Sequence, residues 1–431
     1  MRRILGLFFV FLIIMGCGSS EGRQGMEVVT LGVWGTPQEL KIIKKIISDW
    51  EKKNPKVKVR INHTNYSGYT SKILTQVSGG VAPDIICTEV DMFVNYAKKG
   101  LFEPLNLYIE NDEDFHVEDF FSEVIDRFSL DGNLYALPRD TAPFACVFYN
   151  KDLFDQAGIP YPKDDWDWAN MLDLAQKLTK FDQKGMVEQY GFYTWAWKNF
   201  VFSNGGRIVD NVKNPKRLLL GEDEAIEGLN FYVDLIHKYR VMPSPEAFSN
   251  LGMGIQTMFT SGRLAMFASG IWETPTLRDK TMAMRAKGMD FRWDVVMFPK
   301  GNSGIRGFGT GGSGYGILKT SRHKKQAWEV LKALCSEEGQ KMLVLSGLAQ
   351  PANSRISKSD LWSKSESLPK NKGMLNEAVK YVHYDPFHSR WREIYQQYIL
   401  SNLELVFNGK KKAKEVIEAF LPIVDQKLQE G

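Results

Sequence analysis

The chain has 431 residues, with 43% hydrophobic and 25% charged residues and a formal net charge of +4. That length exceeds one ordinary hydrophobic core, so two domains of a globular protein are expected. A charge this small lacks the clustered basic face that nucleic-acid binding requires.

Met1, Arg2 and Arg3 form a short positive region, and Ile4 to Met15 carries no charge. This apolar run is too short to span a bilayer and suits the h-region of a signal peptide. Ile14-Met15-Gly16-Cys17 resembles a bacterial lipobox, with Ile14 in place of the usual Leu. The match implies a signal peptide over 1–16, cleavage before Cys17, and acyl chains on Cys17 that hold the protein at a membrane surface. An ordinary signal peptide with an incidental Cys is the alternative. Residues 17–26 are polar and Gly/Ser-rich, as in a flexible tether, and no later segment spans a membrane. Cys87, Cys146 and Cys335 sit in apolar contexts and read as buried free thiols. No Cys/His spacing suggests a metal, only His383 and His388 lie close together, and no cofactor is expected.

Val28 to Trp34 reads as a strand. A helix follows, with Thr36 as cap, Pro37 in its first turn, and Leu40, Ile43, Ile46, Ile47 and Trp50 on one face. Residues 57–61 alternate as a strand, 69–80 form a second helix, and 83–87 a buried strand. This β-α-β-α-β order implies a parallel sheet with right-handed crossovers. Ligands bind such sheets beyond the carboxyl ends of the strands, here Trp34-Gly35-Thr36 and Thr88 to Asp91. A hairpin turns at Asp131-Gly132-Asn133, with Leu134 to Leu137 as a strand, and 144–150 is a further buried strand. Helices are expected at 151–158, 166–181 and 223–239, and strands at 191–195, 264–269, 291–299 and through 311–318. A helix pair covers 323–347, and a polar break interrupts the helix-rich remainder near 353–373. Lys410 to Lys412 reads as a solvated helix start.

The simplest layout is α/β with two lobes, each a mostly parallel sheet flanked by helices and built from non-contiguous pieces. Lobe 1 takes 27–138 plus 276–318, and lobe 2 takes 143–272 plus 322–431. Crossings near 138–143, 270–278 and 316–322 make hinges, and the groove between the lobes becomes the site.

Six stretches carry a family resemblance: 78–105, "DGNLYALP" (131–138), "FYNKDLFDQAGI" (148–159), "FSNGGRIVD" (202–210), "GIQTMFTSGRLAMFASGIW" (254–272) and "GGSGYGILKTSRHKKQAWEVLKAL" (311–334). In this order, behind a lipobox, the chain resembles an extracellular solute-binding protein of the carbohydrate ABC-uptake class, related to maltodextrin-binding proteins. The resemblance implies a two-lobe periplasmic-binding-protein-like fold that closes on a solute and delivers it to a membrane permease, acting without catalysis and as a monomer.

A sugar ring has an apolar C–H face and a hydroxyl rim, so its site needs aromatic rings beside carboxylates, amides or Arg. At expected strand ends the sequence supplies Trp34; Glu89 and Asp91; Arg139 and Asp140; Trp195, Trp197 and Asn199; and Trp272 with Glu273. A loop before a C-terminal helix adds Tyr384, Arg390 and Trp391, and Gly311, Gly312 and Ser313 offer backbone that a ligand can approach closely. Family members place a stacking ring where Trp272 stands, and their motifs carry binding residues at Asp91 and Trp195. Trp34 serves equally as cleft or core. Of Trp195 and Trp197, an alternating strand sends one to each face, with Trp195 towards the ligand. Asp84 is expected to fix its loop, and Trp166 and Trp168 to pack a helix start. The rival reading makes Glu89 and Asp91 the acid/base pair of a secreted glycoside hydrolase or lyase. A non-sugar solute in the same fold also stays open.

Overall fold

The structure is a computed structural model that describes residues 26–363 and 367–430. The expected signal peptide, Cys17 and the tether up to residue 25 lie outside the described residues. Among those described, no helix is long and apolar enough to cross a membrane.

β1 (Glu27–Val33), α1 (Pro37–Lys53), β2 (Val57–His63), α2 (Tyr66–Ser78) and β3 (Ile85–Glu89) form the expected β-α-β-α-β unit. β1 pairs in parallel with both β2 and β3. Thr36 caps α1 in a full capping box with Glu39, as its S/T-x-x-E spacing allows. Ile43, Ile46 and Ile47 turn to the sheet. The five-stranded sheet is completed by Ser313–Ile317, which runs antiparallel to β3, and by the short strand Leu137–Pro138 at its edge. The stretch expected as one strand from Leu134 to Leu137 is therefore divided, because Asn133–Leu134 stays in the local hairpin.

The second sheet is built on Cys146–Asn150, flanked by Met266–Ser269 and Trp293–Met297. Both pairings are antiparallel, which corrects the expectation of a mostly parallel sheet in this lobe. No βαβ unit joins these three strands, so nothing imposes the parallel direction that such a unit requires. Residues 190–194 run alongside 264–268 through parallel bridges without forming a regular strand. A Cβ at Gly191 would meet the carbonyl oxygen of Ala175 at 1.9 Å, so this stretch is pressed onto the helix Trp168–Leu178. The polar region near 353–373 holds short helices, Ser354–Lys358 and Asp360–Ser363, rather than an open break.

Two separate hydrophobic clusters mark the lobes. One contains Val29, Leu31, Ile85 and Ile86 with Trp328, Leu331 and Leu334. The other contains Val147, Phe148, Phe267, Val295 and Val296 with Trp391, Leu403 and Phe420. Several segments therefore lie opposite to the expected partition, among them the helix Thr274–Arg285, whose Leu277 sits in the lobe 2 core. The strand Trp293–Met297 belongs with lobe 2, and the helices Lys324–Cys335 and Glu337–Ser346 pack mainly on lobe 1. Pairing partners more than a hundred residues apart decide this, and they leave no mark in the local pattern.

The chain passes between the lobes where residues 139–144, 309–313 and 350–356 lie side by side. Arg139 N donates to Ser313 O, Phe144 N to Gly309 O, Gly311 N to Ala142 O, and Thr141 N to Gln350 O. Buried Arg127 donates from Nη1 to both Thr141 O and Gly311 O, binding two of these passages together. The later passages differ from the expected 270–278 and 316–322. Leu277 stays in the lobe 2 core, and Tyr315 already belongs to that of lobe 1.

Candidate functional site

The lobes enclose a cavity of about 710 Å³ at the carboxyl ends of β1 and β3. Lobe 1 contributes Trp34, Thr36, Glu39, Tyr66, Glu89, Asp91 and Arg139. Lobe 2 contributes Phe144, Trp195, Trp197, Lys198, Trp272, Trp391, Arg392 and Tyr395. Gly311, Gly312 and Ser313 bring the interlobe passages to its wall.

One side is polar. Glu89 ends β3, and Asp91 stands in the first turn of α3 (Val90–Lys98), where its Oδ1 accepts from Met92 N at 2.7 Å. A carboxylate at a helix start is favoured by the exposed N–H groups. Tyr66 Oη donates to Glu89 Oε2 at 2.7 Å. From the opposite lobe, Arg392 Nη1 donates to Asp91 Oδ2 at 3.0 Å, with its guanidinium 5.7 Å from the centre of the Tyr66 ring. Burial, then the charge of Asp91, pushes the Glu89 carboxyl up to about 8, against the hydrogen bond from Tyr66 and the charge of Arg392. Burial also raises Asp91, against Arg392. Burial and the Glu89 charge hold the Tyr66 phenol far above its usual range, so it remains a donor. Lys198 donates to Asp385 Oδ1 at 2.6 Å and lies 4.1 Å over the Tyr395 ring.

The other side is aromatic. Phe144 meets Trp195 edge-on (centroids 4.9 Å, 68°) and Trp272 likewise (5.6 Å, 87°), while the two indoles stand 6.5 Å apart. Trp195 is 45% exposed, an unusual state for so large a ring. Trp34 borders the cavity and is also buried edge-on against Tyr69 and Tyr66, so both of its readings describe it.

Of the residues singled out from sequence, the structure brings together Trp34, Glu89, Asp91, Arg139, Asp140, Trp195, Trp272, Gly311, Gly312, Ser313 and Trp391. Asp140 borders the cavity with its carboxylate already occupied. It accepts from Arg139 Nε at 2.6 Å and from Ser313 N and Oγ at 3.0 and 3.2 Å. Trp197 is almost wholly buried, with Nε1 donating to Tyr395 Oη at 3.3 Å, yet it borders the cavity too. Asp84 accepts from Thr30 N and Oγ1 and from Ser321 Oγ, joining its loop to the sheet.

Three candidates lie elsewhere. Asn199 is fully buried behind the cavity wall, donating to Phe144 O and accepting from Gly309 N. Tyr384 packs on the lobe 1 core, with the Arg127 guanidinium 5.4 Å from its ring centre. Arg390 faces away and pairs with Glu393 and Glu430. The sequence reading did not find Glu39, Tyr66, Phe144, Lys198, Arg392 or Tyr395. Arg392 and Tyr395 follow Trp391 closely, but their direction depends on how the helix Trp391–Ile394 docks across the cleft. Phe144 carries the one readable signal, a large ring directly after the Pro-containing passage 139–143.

The chain matches the family model of the bacterial extracellular solute-binding protein over residues 34–341. The galactooligosaccharide-binding protein of Bacillus subtilis is 22% identical, over 95% of this chain and 92% of its own length. A maltooligosaccharide ABC transporter solute-binding lipoprotein of Streptococcus pneumoniae is 23% identical, over 79% of this chain and 78% of its own. Among solved structures, an ABC substrate-binding protein of Listeria monocytogenes in complex with cycloalternan superposes with a TM-score of 0.82. It is 26% identical, with coverage of 94% of this chain and 99% of that one. The family model, which spans most of the chain, and the interlobe cavity lead to one assignment: the chain belongs to the bacterial extracellular solute-binding protein family.

Proposed function

We propose that this protein is the extracytoplasmic substrate-binding subunit of an ABC importer and that it binds a mono- or oligosaccharide in the interlobe cleft. One observation carries the reading: indole rings (Trp195, Trp272) and hydrogen-bonding polar groups (Glu89, Asp91, Arg392) reach the same cavity from both lobes. The rings suit the C–H face of a pyranose and the polar groups its hydroxyl rim. The names of the relatives, which specify galactooligosaccharide, maltooligosaccharide and cycloalternan, point the same way. Closure around the solute presents a surface formed by both lobes to the permease. Acyl chains on Cys17 anchor the protein, which works as a monomer.

Catalysis has less support. A glycoside hydrolase needs one carboxyl free to protonate a leaving group and the other free to attack or activate water. Glu89, raised to about 8, suits the first role, but Asp91 is tied to Arg392, and the family and the relatives named above are binding proteins. The test is a thermal-shift screen of the fragment starting at residue 26 against mono- and oligosaccharides, since a ligand raises apparent stability by mass action. The expected result is stabilisation by a sugar that is recovered unchanged after denaturation. No shift across a broad panel rejects the carbohydrate, and recovery of cleaved sugar rejects the binder.

A further inference from the structure

The Trp272 indole is held in place by residues that do not belong to the aromatic wall. The strand Met266–Ser269 ends at Gly270, and the chain then makes a single turn, Ile271–Glu273, before the helix Thr274–Arg285 begins. This turn folds the Trp272 side chain back over Gly270. A Cβ built on Gly270 would lie 1.8 Å from Trp272 Cζ3 and 2.2 Å from Cε3 and Cη2. The backbone at Gly270 is extended (φ −101°, ψ 171°), a conformation open to any residue. The ring, not the dihedral angle, demands glycine there.

A second restraint comes from Glu273, which is 8% exposed. Its carboxylate accepts from Gln256 Nε2 at 2.6 Å and from Ser269 Oγ at 3.0 Å. Burial raises its pKa against the hydrogen bonds from Gln256 and Ser269, and the bond from Ser269 closes the turn that carries Trp272. Ser269 is itself fixed in the sheet opposite Cys146. Together with the edge contact from Phe144, these groups restrain the ring on several sides, and part of it still borders the cavity.

We infer that Gly270 and Glu273 are positioning residues that hold the Trp272 indole ready as a preset wall of the cleft and so set the affinity for a pyranose face. A ring ordered before binding loses less freedom when the ligand arrives. The inference rests on the reading of Trp272 as a ligand-stacking residue.

The test separates ring placement from ligand contact. Protein labelled with 5-fluorotryptophan carries 11 probes, one for each Trp, and the 19F line missing from Trp272→Ala is that of Trp272. In ligand-free Gly270→Ala this line moves or broadens while those of rings distant from the cleft stay in place. Glu273→Gln shifts it by less. An unchanged line in Gly270→Ala overturns the inference.

Maltotriose and galactotriose then serve as probes by titration. The sugar that moves the Trp272 line binds Gly270→Ala about tenfold more weakly, and adding Gly270→Ala to Trp272→Ala costs nothing further. Equal affinity of Gly270→Ala and wild type overturns the link to binding. A Trp272 line that neither sugar moves rejects the stacking reading instead, and leaves ring placement to be judged from the ligand-free spectra. If Gly270→Ala does not fold, the double variant Gly270→Ala/Trp272→Ala regains the fold, because the methyl then enters vacated space. A double variant equally unable to fold overturns the inference.

Discussion

The two sides of the cleft are built on different physics. On the aromatic side, Phe144, Trp195 and Trp272 are arranged by edge contacts and by backbone too close to allow a side chain at Gly270. On the polar side, Glu89, Asp91, Tyr66 and Arg392 hold one another through hydrogen bonds and charge, and Arg392 and Asp91 do so across the interlobe gap. The first side is held by packing alone, with Trp272 also resting on the lobe 1 core. The second includes an ion pair that exists only while the lobes are together. Packed rings and an interlobe ion pair thus line one cavity.

The aromatic side predicts the largest effect. Trp272→Ala removes a preset ring and is expected to weaken saccharide binding about thirtyfold, or about 2 kcal/mol, as buried aromatic anchors do. Trp195→Ala, which loses a more exposed ring, is expected to cost less. Isothermal titration with the best sugar from the screen measures both. If both affinities match wild type, the rings are packing elements and the contrast between the walls fails.

On the polar side, Arg392→Met keeps the aliphatic stem and removes the cation that reaches Asp91. The expected loss is roughly tenfold in affinity, accompanied by a larger radius of gyration for the ligand-free protein in small-angle scattering. Weaker binding with no change in dimensions would make Arg392 a ligand contact alone and not also a tie between the lobes.

Much of this arrangement was legible in the sequence wherever local chemistry determines it. Thr36 suits a cap and Pro37 the first helical turn, and Ile43, Ile46 and Ile47 sit at helical spacing. They predict the β1-α1 corner that carries Trp34 and the start of α1 to the cleft. Glu89 and Asp91 were found because ligands gather at the carboxyl ends of parallel strands. Long-range pairing was not legible. Trp293–Met297 reads as a good strand, but its partner, Cys146–Asn150, lies more than a hundred residues earlier. The same limit hid Tyr66 and Lys198, whose roles depend on Glu89 and Asp385 at distant positions. Asn199 failed in the opposite way. An amide suits a sugar hydroxyl, but it equally suits the Phe144 carbonyl and the Gly309 N–H that would otherwise be buried unpaired.

The contrast also sets a pH dependence. Glu89 has an ordinary carboxyl value of 4.5, and in the folded protein burial and Asp91 raise it to about 8. Between these values the folded state keeps a proton that the unfolded chain has released, so stability falls as pH rises. The contribution is complete below about 4.5 and lost above about 8. Other groups titrate in this window, so the informative quantity is the difference between two melting-temperature curves. Glu89→Gln is expected to decline less steeply than wild type from pH 5 to 8, with the two curves diverging towards low pH in favour of wild type. Parallel curves would mean that Glu89 titrates normally and that the polar side is wetter than its burial implies.

The smallest predicted effect draws the sharpest line between neighbours. Arg390 and Arg392 flank Trp391, and both have the chemistry to hold a hydroxyl. Arg390 precedes the helix Trp391–Ile394, and its guanidinium pairs with Glu393 and Glu430 on the outer surface. Arg392 is inside the helix and projects into the cleft. Two positions along a helix differ by about 200° in direction, so one face cannot present both. Exposed ion pairs contribute little, and Arg390→Ala is expected to leave saccharide affinity unchanged in the titration that registers the loss in Arg392→Met. The opposite outcome, with Arg390 sensitive and Arg392 silent, would require this helix to turn its other face inward. Asp91 would then lose its partner, and the polar wall would have to be rebuilt around Arg390.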